Sequence, residues 1–125
     1  MESEEELKKR LTKEEYATLR ESQTEYPFTG KYVDTKTDGS YHCKVCDAKL
    51  FSSDTKFDSG SGWPSFTDPA SLEVIDLKPD YSHNMNRTEV VCKNCKSHLG
   101  HVFQTGKDKA EYCINSICLT LKEDT

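Results

Sequence analysis

What the chain lacks narrows its class first. No apolar run is long enough to span a bilayer, and no hydrophobic signal region follows Met1, so a soluble, cytoplasmic protein is expected. Basic residues gather into no patch: 17 Lys and Arg stand against 22 Asp and Glu, for a net charge of −5. Nucleic-acid binding neutralises phosphate and needs the opposite balance, so neither nucleic acid nor membrane is an expected partner. Hydrophobic residues are sparse, at 34% against 31% charged over 125 residues. Such a chain suits one domain, residues 1–125, whose thin core needs a staple. Low-complexity segments are missing, and the only internal repeat is a short cysteine motif.

That motif is the staple. Cys43-Lys44-Val45-Cys46 and Cys92-Lys93-Asn94-Cys95 are two Cys-x-x-Cys pairs. In a reducing compartment such pairs read as metal ligands rather than disulfides. Each tight turn presents two thiolates to one ion, and two turns close a tetrahedral shell. One structural zinc on Cys43, Cys46, Cys92 and Cys95 is the expected cofactor, tying together two distant hairpins. Iron in the same four thiolates, or three thiolates with His98, are the competing ligand sets.

Residues 1–22 are charged and read as a helical segment on the domain surface. Thr12-Lys13-Glu14-Glu15 has capping-box spacing, and Leu11, Tyr16 and Leu19 make a narrow apolar stripe. Pro27 then stops any helix. Beyond it the signals are for β-structure, with strands expected at 31–33, Gly39–Cys43, 72–75, Arg87–Cys92, 100–104 and 112–121. The turn-rich stretch 52–69 holds Gly60, Gly62, Pro64 and Pro69, and a loop of that length usually serves function.

Two cysteines stand outside the metal set, Cys113 and Cys118. Strand alternation puts Cys113 and Asn115 on one face, about 7 Å apart. A lone buried thiol is commonly inert, and a nucleophile needs donors or positive charge to favour its thiolate. His98 and His101, three residues apart, either supply protons near neutral pH or are ordinary hydrogen-bonded histidines. Trp63 is the only tryptophan, and its Gly- and Pro-rich loop suits a pocket wall better than a packed layer. A non-enzymatic zinc-binding β-domain acting as an interaction module would share the knuckles. It would have no use for Trp63, His98, His101, Cys113 and Asn115 together.

In combination these motifs resemble the methionine-R-sulfoxide reductases of the B type. Gly62-Trp63-Pro64-Ser65-Phe66, His98-Leu99-Gly100-His101-Val102-Phe103 and Tyr112-Cys113-Ile114-Asn115-Ser116 carry the resemblance, together with both knuckles and Pro27-Phe28-Thr29-Gly30. It implies a mainly β fold of two antiparallel sheets with a barrel-like core, short peripheral helices and a zinc clip remote from the active site. It also implies reduction of methionine-R-sulfoxide, free or in oxidised proteins, to methionine. Cys113 would attack the sulfoxide sulfur while His98, His101 and Asn115 hold and protonate its oxygen. Trp63 and Phe103 would wall in the S-methyl group. Cys113 is left as a sulfenic acid, which a second thiol reduces. A monomer is expected.

The chain departs from that pattern in three places. Ser61 stands where relatives often carry a resolving cysteine. Cys118 would be a poor substitute on one continuous strand, because five extended residues span about 16 Å and a disulfide tolerates about 7 Å between Cα atoms. An external reductant follows: thioredoxin, glutathione or another small thiol. Glu111 occupies a position where relatives usually have arginine, and a carboxylate beside a thiol raises its pKa. The loop 105–110 is short, and Lys107 or Lys109 is the expected replacement for the missing positive charge.

Overall fold

Two capping boxes open the fold, which a computed structural model describes over residues 2–106 and 109–124. Ser3 and Glu6 exchange hydrogen bonds at the start of helix α1 (Glu4–Arg10), and Thr12 with Glu15 does the same for α2 (Lys13–Glu21). Each pair satisfies two of the donors that a helix start leaves unpaired. The expected surface segment is therefore two helices. Their apolar sides point inward, with Leu7, Leu11 and Leu19 buried in the main core.

Among the described residues nine strands follow: β1 (Gly39–Cys43), β2 (Lys49–Ser52), β3 (Lys56–Phe57), β4 (Ser65–Phe66), β5 (Ile75–Asp80), β6 (Arg87–Cys92), β7 (His98–Gly106), β8 (Lys109–Ile114) and β9 (Leu119–Glu123). They form two antiparallel sheets, one ordered β2-β1-β9 and the other β3-β4-β8-β7-β6-β5. Aromatic side chains bring the sheets together. Phe51 of β2 stacks on Phe66 of β4 with ring centroids 4.4 Å apart, and Tyr41 of β1 meets Phe66 edge-on at 5.2 Å. Each such pair is worth about 1 kcal/mol beyond the area it buries. The mainly β architecture is as expected, but both sheets are open and the barrel-like closure is not made. Among the described residues, no helix is long and apolar enough to cross a membrane.

Four local expectations change. Residues 31–33 form turns, not a strand: the Tyr32 amide donates to the Ser116 hydroxyl at 3.1 Å instead of to a sheet neighbour. The strand expected at 72–75 begins only at Ile75, and β2 was not foreseen. The long loop 52–69 contributes two dipeptide strands that extend the larger sheet. The run 112–121 is broken: β8 ends at Ile114, a 3₁₀ turn occupies Ser116–Cys118, and β9 joins the other sheet. The cause of that break lies 90 residues upstream, at Glu25.

Candidate active site and metal centre

The two knuckles repeat one backbone solution. The Asp47 amide donates to the Cys43 carbonyl at 2.9 Å, and the Lys96 amide to that of Cys92 at 2.8 Å. Asp47 and Lys96 each adopt a left-handed conformation, φ 66° in both. These matched turns bring the sulfurs of Cys43, Cys46, Cys92 and Cys95 within 4.8 Å of one another. Two of the separations are 3.6 Å (Cys43 to Cys95) and 3.5 Å (Cys46 to Cys92). A tetrahedral ion with metal–sulfur bonds of about 2.3 Å wants edges of about 3.8 Å, so the donor set fits one soft or borderline dication. His98 is not part of the cluster, which leaves the four-thiolate set as the arrangement present.

Cys92 ends β6, whose other end, Arg87, faces a different site roughly 16 Å away by strand rise. There the sheet register lines up a row. Glu89 of β6 opposes His101 of β7, His101 opposes Cys113 of β8, and Cys113 opposes Ser65 of β4. Directly opposed residues share a face with Cβ atoms about 5 Å apart, so these four side chains stand side by side. Gly100 allows the tight pairing beside them, since a Cβ there would lie 2.1 Å from the Cys113 carbonyl oxygen.

Trp63, Phe103, His101, Cys113, Asn115, Arg87, Thr24 and Gly100 line one cleft of about 60 Å³. That is room for a few water-sized groups, enough for the tip of one side chain. Five of the six non-metal residues singled out in the sequence thus converge. The sixth, His98, lies behind His101 with ring centroids 5.5 Å apart and is 4% exposed. Its Nδ1–H donates to Glu89 at 2.7 Å, and its Nε2 is buried without a partner among the described residues. Burial lowers the His98 pKa, against the opposing pull of the Glu89 carboxylate. His101 donates from Nε2 to Asp80 at 2.6 Å. That hydrogen bond, followed by those from Ser82, holds the Asp80 carboxyl well below its usual range.

Asn115 lies in the cleft wall, but both ends of its amide are engaged. Oδ1 accepts from the Glu25 amide at 3.1 Å, and Nδ2 donates to the Leu99 carbonyl at 3.0 Å. Cys113 is 9% exposed, with its sulfur 3.7 Å from the Ser65 hydroxyl, 3.9 Å from Ser61 and 3.5 Å from a Glu111 oxygen. Burial raises its pKa most, the two serines lower it, and Glu111 raises it again. Among the described residues no cation acts on it. Lys107 lies outside those residues, and Lys109 is exposed at the start of β8. Cys118 is fully buried, its thiol donating to the His98 carbonyl at 3.3 Å. It is held back by burial at the end of a 3₁₀ turn, not by the span of one continuous strand as expected.

Sequence reasoning missed Arg87 as a cleft residue, and missed Glu25, Ser65 and Asp80. Asp80 and Arg87 pair with one another across β5 and β6, a register that local patterning does not reveal.

Fold and site together define a class: an open two-sheet β-protein clamped by four cysteines, with a separate thiol in an aromatic cleft. Residues 11–123 match the SelR domain, and the chain belongs to that family, the methionine sulfoxide reductases of the B type. It is 53% identical over 124 residues to a peptide methionine sulfoxide reductase MsrB of Methanosarcina barkeri, covering 98% of this chain and 87% of the relative. The proteins of the same description from Burkholderia thailandensis and Burkholderia pseudomallei are 51% and 52% identical over 120 residues, covering 94% of this chain and 84% of each relative. These relatives are oxidoreductases acting on sulfur.

Proposed function

We propose that residues 1–125 form one cytoplasmic, monomeric domain that reduces methionine-R-sulfoxide, free or in oxidised proteins, to methionine. The observation that carries this reading is the convergence of Cys113, His101, Trp63 and Phe103 on one cleft sized for a side-chain tip. The Cys113 sulfur attacks the sulfoxide sulfur. His101, with His98 packed against it, hydrogen-bonds and protonates the oxygen, because an unprotonated sulfoxide is a poor electrophile. The oxygen passes to Cys113, so that thiol plus sulfoxide becomes sulfenic acid plus methionine. Trp63 and Phe103 receive the S-methyl group, and Asn115 holds the wall that faces Cys113. Only one epimer sets methyl on the rings and oxygen beside the imidazole at once.

The sulfenic acid then condenses with an external thiol, releasing water, and a second thiol displaces Cys113 as the free thiol. Thioredoxin or a small thiol fits this step, because Ser61 cannot resolve it and Cys118 is buried. One zinc held by Cys43, Cys46, Cys92 and Cys95 would serve as a structural clamp between β1 and β6, since four thiolates leave no open position for chemistry.

Incubating the reduced protein with each sulfoxide epimer and dithiothreitol tests the reading. Turnover of the R epimer alone, lost in Cys113→Ser, is the expected result. Turnover of neither epimer, or undiminished turnover by Cys113→Ser, overturns it.

A further inference from the structure

Asn115 would ordinarily cap the 3₁₀ turn that follows it, yet its side chain makes no capping bond there. The cap comes from far upstream. The Glu25 carboxylate accepts the Ser116 amide on Oε2 at 2.9 Å and the Ile117 amide on Oε1 at 3.0 Å. In return the Glu25 amide donates to Asn115 Oδ1 at 3.1 Å. This is a reciprocal capping box made in trans, across 90 residues of chain. The same residue reaches the other wall of the cleft, because its carbonyl accepts the Trp63 indole N–H at 3.0 Å.

We infer that Glu25 is a positioning residue for the Cys113 cleft, locking Asn115 on one side and Trp63 on the other into a single width. Amide-to-carboxylate bonds are charge-assisted and about twice as strong as neutral ones, and two of them converge on one half-buried group. Among the described residues no ion pair competes for it. Lys31 and Lys44 line the same cavity of about 530 Å³, but Lys31 sits over the Tyr32 ring and Lys44 faces Glu15. The neighbouring chain is built around the contact. A Cβ at Gly30 would fall 2.3 Å from the Ser116 hydroxyl and 2.5 Å from Glu25 Oε2. The carboxylate does not touch Cys113, whose contacts run to Ser61, Ser65 and Glu111. Glu25 therefore governs how substrate fits, not how reactive the thiol is.

The functional consequence rests on the sulfoxide-reductase reading, and the test separates the two. Wild type, Glu25→Ala and Glu25→Gln are compared by amide hydrogen exchange at Ser116 and Ile117, by Trp63 fluorescence, by Cys113 alkylation with iodoacetamide, and by KM and kcat for methionine-R-sulfoxide. Trp63 is the only tryptophan, so its emission reports the cleft alone. In Glu25→Ala, exchange at both amides should rise about tenfold or more, and Trp63 emission should move to the red. KM should rise about tenfold with a smaller change in kcat, while alkylation stays within about twofold of wild type. Glu25→Gln keeps one acceptor oxygen and should fall between, and it carries the test if the alanine variant does not fold. A folded variant with unchanged exchange, emission and KM overturns the assignment. If wild type turns over no sulfoxide, the functional reading fails, and exchange and emission still decide the role of Glu25.

Discussion

The Glu111 carboxylate and the Cys113 sulfur lie 3.5 Å apart, Oε1 to Sγ, on one face of β8. The contact accepts a hydrogen bond from the thiol and repels the thiolate. Together with burial it holds the Cys113 pKa above the ordinary thiol value of 9.0, against the opposing Ser65 and Ser61 hydroxyls. Thiolate is the reactive form, so alkylation of Cys113 should climb with pH through and beyond that value. In Glu111→Gln the whole curve should shift to lower pH, so that the reaction at pH 7 is faster than in the native chain. Iodoacetamide kinetics followed by mass spectrometry will show it. A curve that stays in place would mean the carboxylate turns away in solution.

The Ser61 hydroxyl sits 3.9 Å from the Cys113 sulfur. A disulfide needs about 2.05 Å between sulfurs, a distance that a small side-chain rotation closes. Ser61→Cys should therefore resolve the sulfenic acid internally. With one equivalent of methionine-R-sulfoxide and no reductant, thiol titration should find two thiols lost in the variant and one in the native chain.

Cys118→Ala should leave dithiothreitol-driven turnover within about twofold, because the thiol has no access to Cys113. Stability should fall all the same: deleting a fully buried sulfur that bonds the His98 carbonyl costs about 1 kcal/mol, or roughly 5 °C in Tm. Loss of turnover at an unchanged Tm would reverse this reading and make Cys118 the resolver.

Elemental analysis should find one zinc per chain. Chelation, or Cys95→Ser, opens the clamp between the two knuckles and should lower Tm by about 10 °C or more. The melt should be followed on reduced protein, so that adventitious disulfides among the freed thiols do not replace the metal.

Much of the site was legible from residue types and spacing. The strand Arg87–Cys92 appears with the bounds expected of it, and Cys113, His101, Trp63 and Phe103 do meet in one cleft. The run after Cys113 was not legible. Read by itself, Ile114 to Leu121 has the alternation of a strand, and only a carboxylate 91 residues away captures the Ser116 amide and turns the chain into the other sheet. Tyr32 is a similar case, since its amide goes to the Ser116 hydroxyl in place of a ladder partner. The helices hid part of their inward face because Leu7 and Leu19 lie on two separate short elements, too few residues each to show a full period.

By itself the sequence determined what depends on neighbours within a few residues: the knuckle turns, the capping box at Thr12, the strand at Arg87–Cys92 and the kinds of reactive group present. Tertiary structure alone decided what those groups face. It buried Cys118, placed His98 behind His101, and joined Glu25 to both walls of the cleft. The physical reason is range. Backbone propensity and capping act over a turn or two of chain, whereas thiol reactivity and cleft width are set by burial and by hydrogen bonds between segments that only folding brings together.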